Sequence, residues 1–142
     1  MSNVTLSDSN QLSGDLKQIL NSAPKLVAYR GKGMTSKQEV LVEVYQAPPG
    51  SGITFFCVAG DKKDLVAVPA KASSVVNTLR NVVLGVGKTR LCIVEHFMCA
   101  VTLWGLDDLY VLVDGPEMPL ADGSAQFWIE LFQSAGIEQR AV

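Results

Sequence analysis

The sequence predicts an α+β domain in which an antiparallel-rich sheet carries its helices on one face. Three observations predict it. A two-residue period marks Leu26–Tyr29 and Val40–Tyr45, apolar residues recur at three- and four-residue steps in 93–104 and 124–135, and strand-like runs follow one another without the alternation that builds βαβ units. The first element is helical: Ser7 to Leu12 is rich in turn and capping residues, and Leu12, Leu16, Ile19 and Leu20 follow at helical spacing until Pro24. The period then changes to two. Leu26-Val27-Ala28-Tyr29 and Val40-Leu41-Val42-Glu43-Val44-Tyr45, with Gly31 and Gly33 between them, predict a hairpin. After the breaker cluster Ala47-Pro48-Pro49-Gly50-Ser51-Gly52, the run Ile53 to Val58 has the β-branched and aromatic content of a strand. A turn at Gly60-Asp61 leads to a shorter strand over Leu65–Val68, ended by Pro69, whereas Ser73 to Leu84 reads equally as helix or strand.

From Ile93 to Trp104 the residues Ile93, Phe97, Ala100, Val101 and Trp104 mark a core helix, with Gly105 where a left-handed cap belongs. Leu109 to Val113, bounded by Asp107-Asp108 and Asp114-Gly115-Pro116, is a strand. Asp122-Gly123-Ser124 opens a last helix with Phe127, Trp128, Leu131, Phe132 and Ala135 inward, and Gly136 ends it. Asp122 and Ser124 read as caps before they read as catalytic groups. Asp114 and Glu117 flank prolines in a turn and read as structural, and Trp104, Phe127 and Trp128 as core.

A chain of 142 residues is one ordinary domain, long enough to bury roughly two thirds of its extended surface without a disulfide or metal staple. The net charge of −2, with Lys, Arg, Asp and Glu intermixed, leaves no basic stripe to neutralise a row of phosphates, so nucleic acid is not an expected partner. Lys37, Lys62, Lys63 and Lys71 read as solvated surface charges. Gly31-Lys32-Gly33 lacks the Gly-Lys-Ser/Thr ending of a phosphate loop. The apolar runs are far shorter than the roughly 20 residues of a transmembrane helix, and the polar segment Met1–Gln11 has no leader pattern. A cytoplasmic location is expected. It agrees with three cysteines, Cys57, Cys92 and Cys99, which cannot all pair and lie in apolar runs as free thiols do.

Chemistry concentrates at one place. The chain's single histidine, His96, directly follows Glu95, setting a metal ligand beside a proton acceptor. Cys92, His96 and Cys99 would share a helix face, but a buried-core reading of the thiols is preferred, and no CxxC spacing marks a zinc ribbon. A catalytic zinc needs three protein ligands and an open position, so one Glu-His pair is at most half a site. Taken alone, a solitary histidine among apolar neighbours is more often a core or capping residue.

With Glu95-His96 at the first turn of a core helix, followed by Gly105-Leu106-Asp107-Asp108-Leu109 and by Asp114-Gly115-Pro116-Glu117-Met118-Pro119-Leu120-Ala121-Asp122-Gly123-Ser124-Ala125, the chain resembles the UDP-3-O-acyl-N-acetylglucosamine deacetylases. These are the zinc-dependent amidohydrolases of lipid A synthesis. The match extends to Gly31-Lys32-Gly33-Met34 and Ala135-Gly136-Ile137-Glu138. The resemblance implies two related α+β domains with the metal between them, of which residues 25–142 match the first, residues 1–24 being an N-terminal extension with a short helix. It implies that His96 is the zinc ligand of that domain and Glu95 the general base, with the other ligands on the second domain. Thr35 stands where the family's Gly-x-Gly-x-His motif has histidine, and Phe127-Trp128 where it has Pro-Phe.

A single-domain homologue is then expected to be inactive alone, to bind zinc only if another chain or domain completes the site, and to accept a UDP-sugar as ligand. Its missing-domain face is expected to be covered by a partner chain or by a second copy in a homodimer. The alternative is a non-catalytic binding or regulatory protein that has kept the fold and lost the chemistry.

Overall fold

The computed structural model describes residues 9–60 and 64–141, with residues 9–12 described in backbone alone. Ser7, Asp8, Asp61, Lys62 and Lys63, named above as capping, turn or surface residues, lie outside the described residues. The chain runs α1 (Ser9–Ser22), β1 (Lys25–Lys32), β2 (Glu39–Gln46), β3 (Ile53–Ala59), β4 (Asp64–Pro69), β5 (Val75–Asn77), β6 (Val83–Val86), β7 (Thr89–Leu91), α2 (Glu95–Trp104), β8 (Leu109–Asp114) and α3 (Ala125–Ser134). The main sheet has the order β1-β2-β8-β3-β4. Its pairs are antiparallel except β3 with β8, which run parallel, Phe55 opposite Val111.

Alternation along the strands builds two cores. Val40, Val42 and Val44 of β2, Phe55 and Cys57 of β3, Val68 of β4 and Val111 and Val113 of β8 point to one side, where α2 and α3 close over them with Phe97, Ala100, Val101, Trp128 and Phe132. Burial there is nearly complete, and each such large side chain contributes about 1.5–3 kcal/mol relative to exposure. Phe97 meets Phe55, Trp128 and Phe132 edge-on, with ring centroids 5.2–6.1 Å apart. The Trp128 indole N–H has no hydrogen-bond partner among the described residues.

The α+β class and the antiparallel-rich sheet match the sequence reading, and α2 and α3 do share a face. The sheet's other face is covered as well: α1 lays Leu16 and Leu20 on Tyr45, Phe56 and Leu65, with Tyr110 and Leu112 packed against this second cluster. The reason is in the strands, whose alternate positions are also apolar there and leave too much surface for solvent alone. Lys25 bridges to Glu43 and lies 5.7 Å from the Tyr45 ring centroid, closing the α1 end of that face.

Three local readings change. Ser73 to Leu84 is neither one helix nor one strand; a 3-10 turn over Ala72–Ser74 leads into β5, and β5-β6-β7 forms a second antiparallel sheet. The core helix begins at Glu95 rather than Ile93, because Cys92 is held in a bridge beside Glu117 and Ile93 takes a left-handed φ of 61°. Cys92 therefore precedes the helix and shares no face with His96 and Cys99. Cys99 is exposed rather than buried, since Phe97, Ala100 and Val101 take the inward positions. Gly105, at φ 73°, ends α2 as expected.

Candidate functional site

The site grows from the approach to α2. A β-branched residue with positive φ is a true backbone outlier, of the kind that costs about 1–3 kcal/mol and persists only where its surroundings over-determine it. Ile93 is so placed: its amide donates to Asn81 Oδ1 at 3.2 Å, its side chain is buried, and on either side of Cys92 the backbone bonds Cys92 N to Pro116 O and Met118 N to Cys92 O fix the preceding residue. The sharp turn delivers Glu95 and His96 to the first turn of α2. There the helix dipole favours a carboxylate, and Val94 at the N-cap offers no side-chain cap of its own.

Glu95 Oε2 accepts the Val82 amide at 3.1 Å, and Glu95 Oε1 lies 3.9 Å from His96 Nε2, too long for a hydrogen bond. Both side chains are about one third exposed, at 32% and 31%. The pair is thus anchored on one side and open on the other. Next to it runs an apolar groove of about 500 Å³ walled by Val82, Val94, Met98, Cys99 and Leu103, with Glu95 in its lining. Lys71, exposed as expected, stands on the same groove.

Asp122, Gly123 and Ser124 lie at the start of α3. Ser124 is the N-cap, its Oγ accepting the Phe127 amide at 3.4 Å, while Asp122 accepts from the Ser124 amide at 3.0 Å and from its hydroxyl at 2.7 Å. That hydroxyl holds the Asp122 carboxyl below the usual carboxylate range, with a smaller contribution from His96. Asp122 thus steadies the capping residue without being the N-cap itself.

Sequence reasoning missed one support and read a second, Glu117, as structural without its partners. Asn81 and Val82 reach Ile93 and Glu95 from the bend that leads into β6, with no motif to announce it. Glu117, 2% exposed, accepts from the Thr35 amide at 3.0 Å and from the Ser36 amide and hydroxyl at 2.9 Å each. It occupies the space a Cβ on Gly33 would need, so the glycine is required by a close approach. This ties the β1–β2 turn, including Thr35, to the segment that leads to Asp122. Between them, Tyr29, Lys32, Met34 and Lys37 face Leu120 and Ala121 across a cavity of about 500 Å³.

The thiols sort by environment. Burial pushes Cys57 up to about 12. Cys92 is raised by burial first, and then by the charges of Glu117 and Glu95. Among the described residues no group of three or more His, Cys, Asp or Glu side chains is placed to hold a metal ion.

The family model for UDP-3-O-acyl N-acetylglycosamine deacetylase matches residues 22–142. The chain belongs to this deacetylase family. Relatives named UDP-3-O-acyl-N-acetylglucosamine deacetylase share 40% identity over 116 residues in Myxococcus xanthus, 33% over 112 in Syntrophotalea carbinolica and 36% over 116 in Legionella pneumophila. These alignments cover 79–82% of this chain but only 36–38% of the relatives, so the chain spans little more than a third of a full-length deacetylase. The family match takes in Glu95, His96 and the Asp122-Gly123-Ser124 turn, and it begins at the last residue of α1. No helix among the described residues is long and apolar enough to cross a membrane.

Proposed function

We propose that this chain furnishes the Glu95–His96 half of a zinc-dependent deacetylase centre acting on an acylated UDP-amino sugar, the other ligands coming from a second domain or chain. The observation that carries the reading is the pair itself: the only histidine of the sequence, beside a carboxylate anchored through one oxygen, both part-exposed at the head of α2 within the family match. Glu95 takes the role of general base and His96 that of a ligand. The described residues do not make up a zinc site by themselves, since a catalytic zinc takes three protein ligands and an open position. Amide hydrolysis is accordingly assigned to the completed assembly and not to this chain alone.

The completing partner covers the helix side of the molecule, where the groove beside Glu95 and the exposed Leu103 of α2 lie. A second copy is one such partner, since a two-fold axis near α2 would gather two Glu95–His96 pairs. The assembly works in the cytoplasm, where a UDP-sugar is at hand. One observation favours a second reading, a binding domain without chemistry: Thr35 stands at the turn held by Glu117, where the family motif carries histidine.

Zinc stoichiometry by equilibrium dialysis, read with light-scattering mass at micromolar concentration, tests both. Zinc bound in an assembly and lost in Glu95→Ala/His96→Ala supports the half-site. A zinc-free protein that binds UDP-sugar or acyl ligands equally well as wild type and as the double variant supports the second reading.

A further inference from the structure

We propose that Asn81 is a positioning residue for Glu95, acting through the left-handed turn at Ile93; the functional meaning of this rests on Glu95 being the base proposed above. Residues 81 and 82 grip three consecutive residues at the head of α2. Asn81 Oδ1 accepts from the Ile93 amide at 3.2 Å, Val82 O from the Val94 amide at 3.5 Å, and the Val82 amide donates to Glu95 Oε2 at 3.1 Å. Arg80, at φ 67°, and Ile93, at φ 61°, are both left-handed, so each strand of this clamp bends sharply where it meets the other. Neither residue is glycine, and neither conformation is one its own side chain favours.

Of the three bonds only the first is made by a side chain of the gripping segment, so Asn81 is the residue of that segment whose substitution can loosen the clamp while Glu95 stays intact. Its oxygen satisfies the amide that the Ile93 turn exposes. That keeps the turn, and the turn sets the distance between the Val82 amide and the carboxylate of Glu95. With Oε2 engaged there, Oε1 is the oxygen left on the His96 side, 3.9 Å from Nε2. A carboxylate with one oxygen tied and the other presented is oriented for proton transfer, whereas an untied one rotates among its rotamers and presents neither oxygen consistently.

The test is the amide resonance of Val82 in the full chain at pH 7, with Glu95→Ala marking its position when the carboxylate bond is absent. In Asn81→Ala the Val82 resonance is expected to move at least half of the way to that position, and Val82 hydrogen exchange to quicken roughly tenfold, although Glu95 is intact. Asn81→Asp, which keeps the acceptor oxygen, is expected to hold the wild-type position. Asn81→Ser, whose hydroxyl is too short to span to Ile93, replaces the alanine form should that not fold. A folded Asn81→Ala or Asn81→Ser protein with Val82 unmoved overturns the proposal and leaves Asn81 a loop residue. The readout needs no metal, so a chain that shows this coupling but never binds zinc defeats the deacetylase reading alone.

Discussion

The Ser13 hydroxyl of α1 accepts the Leu65 amide of β4 at 2.7 Å, in a buried contact. β4 is an edge strand, so this amide faces away from the sheet and would otherwise be an orphan beneath a helix. Ser13→Ala keeps the helix and removes the acceptor. A loss of about 1–3 kcal/mol is expected, the cost of leaving a buried donor unsatisfied. Chemical denaturation measures it, and faster hydrogen exchange at Leu65 localises it.

Glu117 is the larger liability. Its carboxylate collects the Thr35 and Ser36 amides and the Ser36 hydroxyl from a turn more than 80 residues earlier in the chain. Glu117→Ala is expected to destabilise by about 3 kcal/mol, in the range for removing one side of a buried charged contact. Glu117→Gln keeps the shape but turns one acceptor into a donor facing other donors, and is expected to fall between wild type and alanine. Thermal melts of the three proteins give the order.

Thiol alkylation should separate the three cysteines. At pH 8 with iodoacetamide, Cys99 on its exposed helix face is expected to be modified first, Cys92 slowly, and Cys57 only on unfolding, since burial holds its thiol up to about 12. Peptide mass spectrometry against time reads the order. Modification of Cys57 in the native protein would show that the main core opens more readily than its packing implies.

Ser124 carries a test of acid behaviour. Ser124→Ala removes the N-cap of α3 and is expected to cost about 1 kcal/mol at neutral pH. It also removes the hydroxyl that holds Asp122 low. A carboxyl lowered on folding stabilises the fold above its unfolded pKa, and that stabilisation is lost as pH falls through the folded value. The gap between wild type and Ser124→Ala should therefore narrow in strong acid. Carbon NMR of Asp122 should place its titration midpoint higher in the variant.

Much of this architecture was legible because it is periodic. Val40, Val42 and Val44 alternate inward, Phe97, Ala100 and Val101 fall on one helical face, and Gly105 sits at the left-handed position that ends α2. The second sheet was not, since β5 and β7 have three residues each and β6 four, too short for a period to register. Adjacency of Glu95 and His96 was plain from the sequence, and the resemblance to the family gave it an expected role. Its supports were hidden for another reason: Asn81 and Ile93 are 12 residues apart and Thr35 and Glu117 are 82, distances that only the folded chain closes. The second apolar face was written in Tyr45, Phe56, Tyr110 and Leu112, at the alternate positions a one-sided sheet would have given to polar residues.

The docking of α1 also gives the molecule a front and a back. The sheet stands between that helix and the layer holding α2, so whatever approaches Glu95 and His96 comes from the opposite side to the one on which α1 lies. A dye or affinity handle fixed to the solvent side of α1, at Lys17 or Gln18, is thus shielded by a whole β-layer from any encounter at the front. The proposed assembly can be tested from the rear of the protein without the reporter entering the contact it would report.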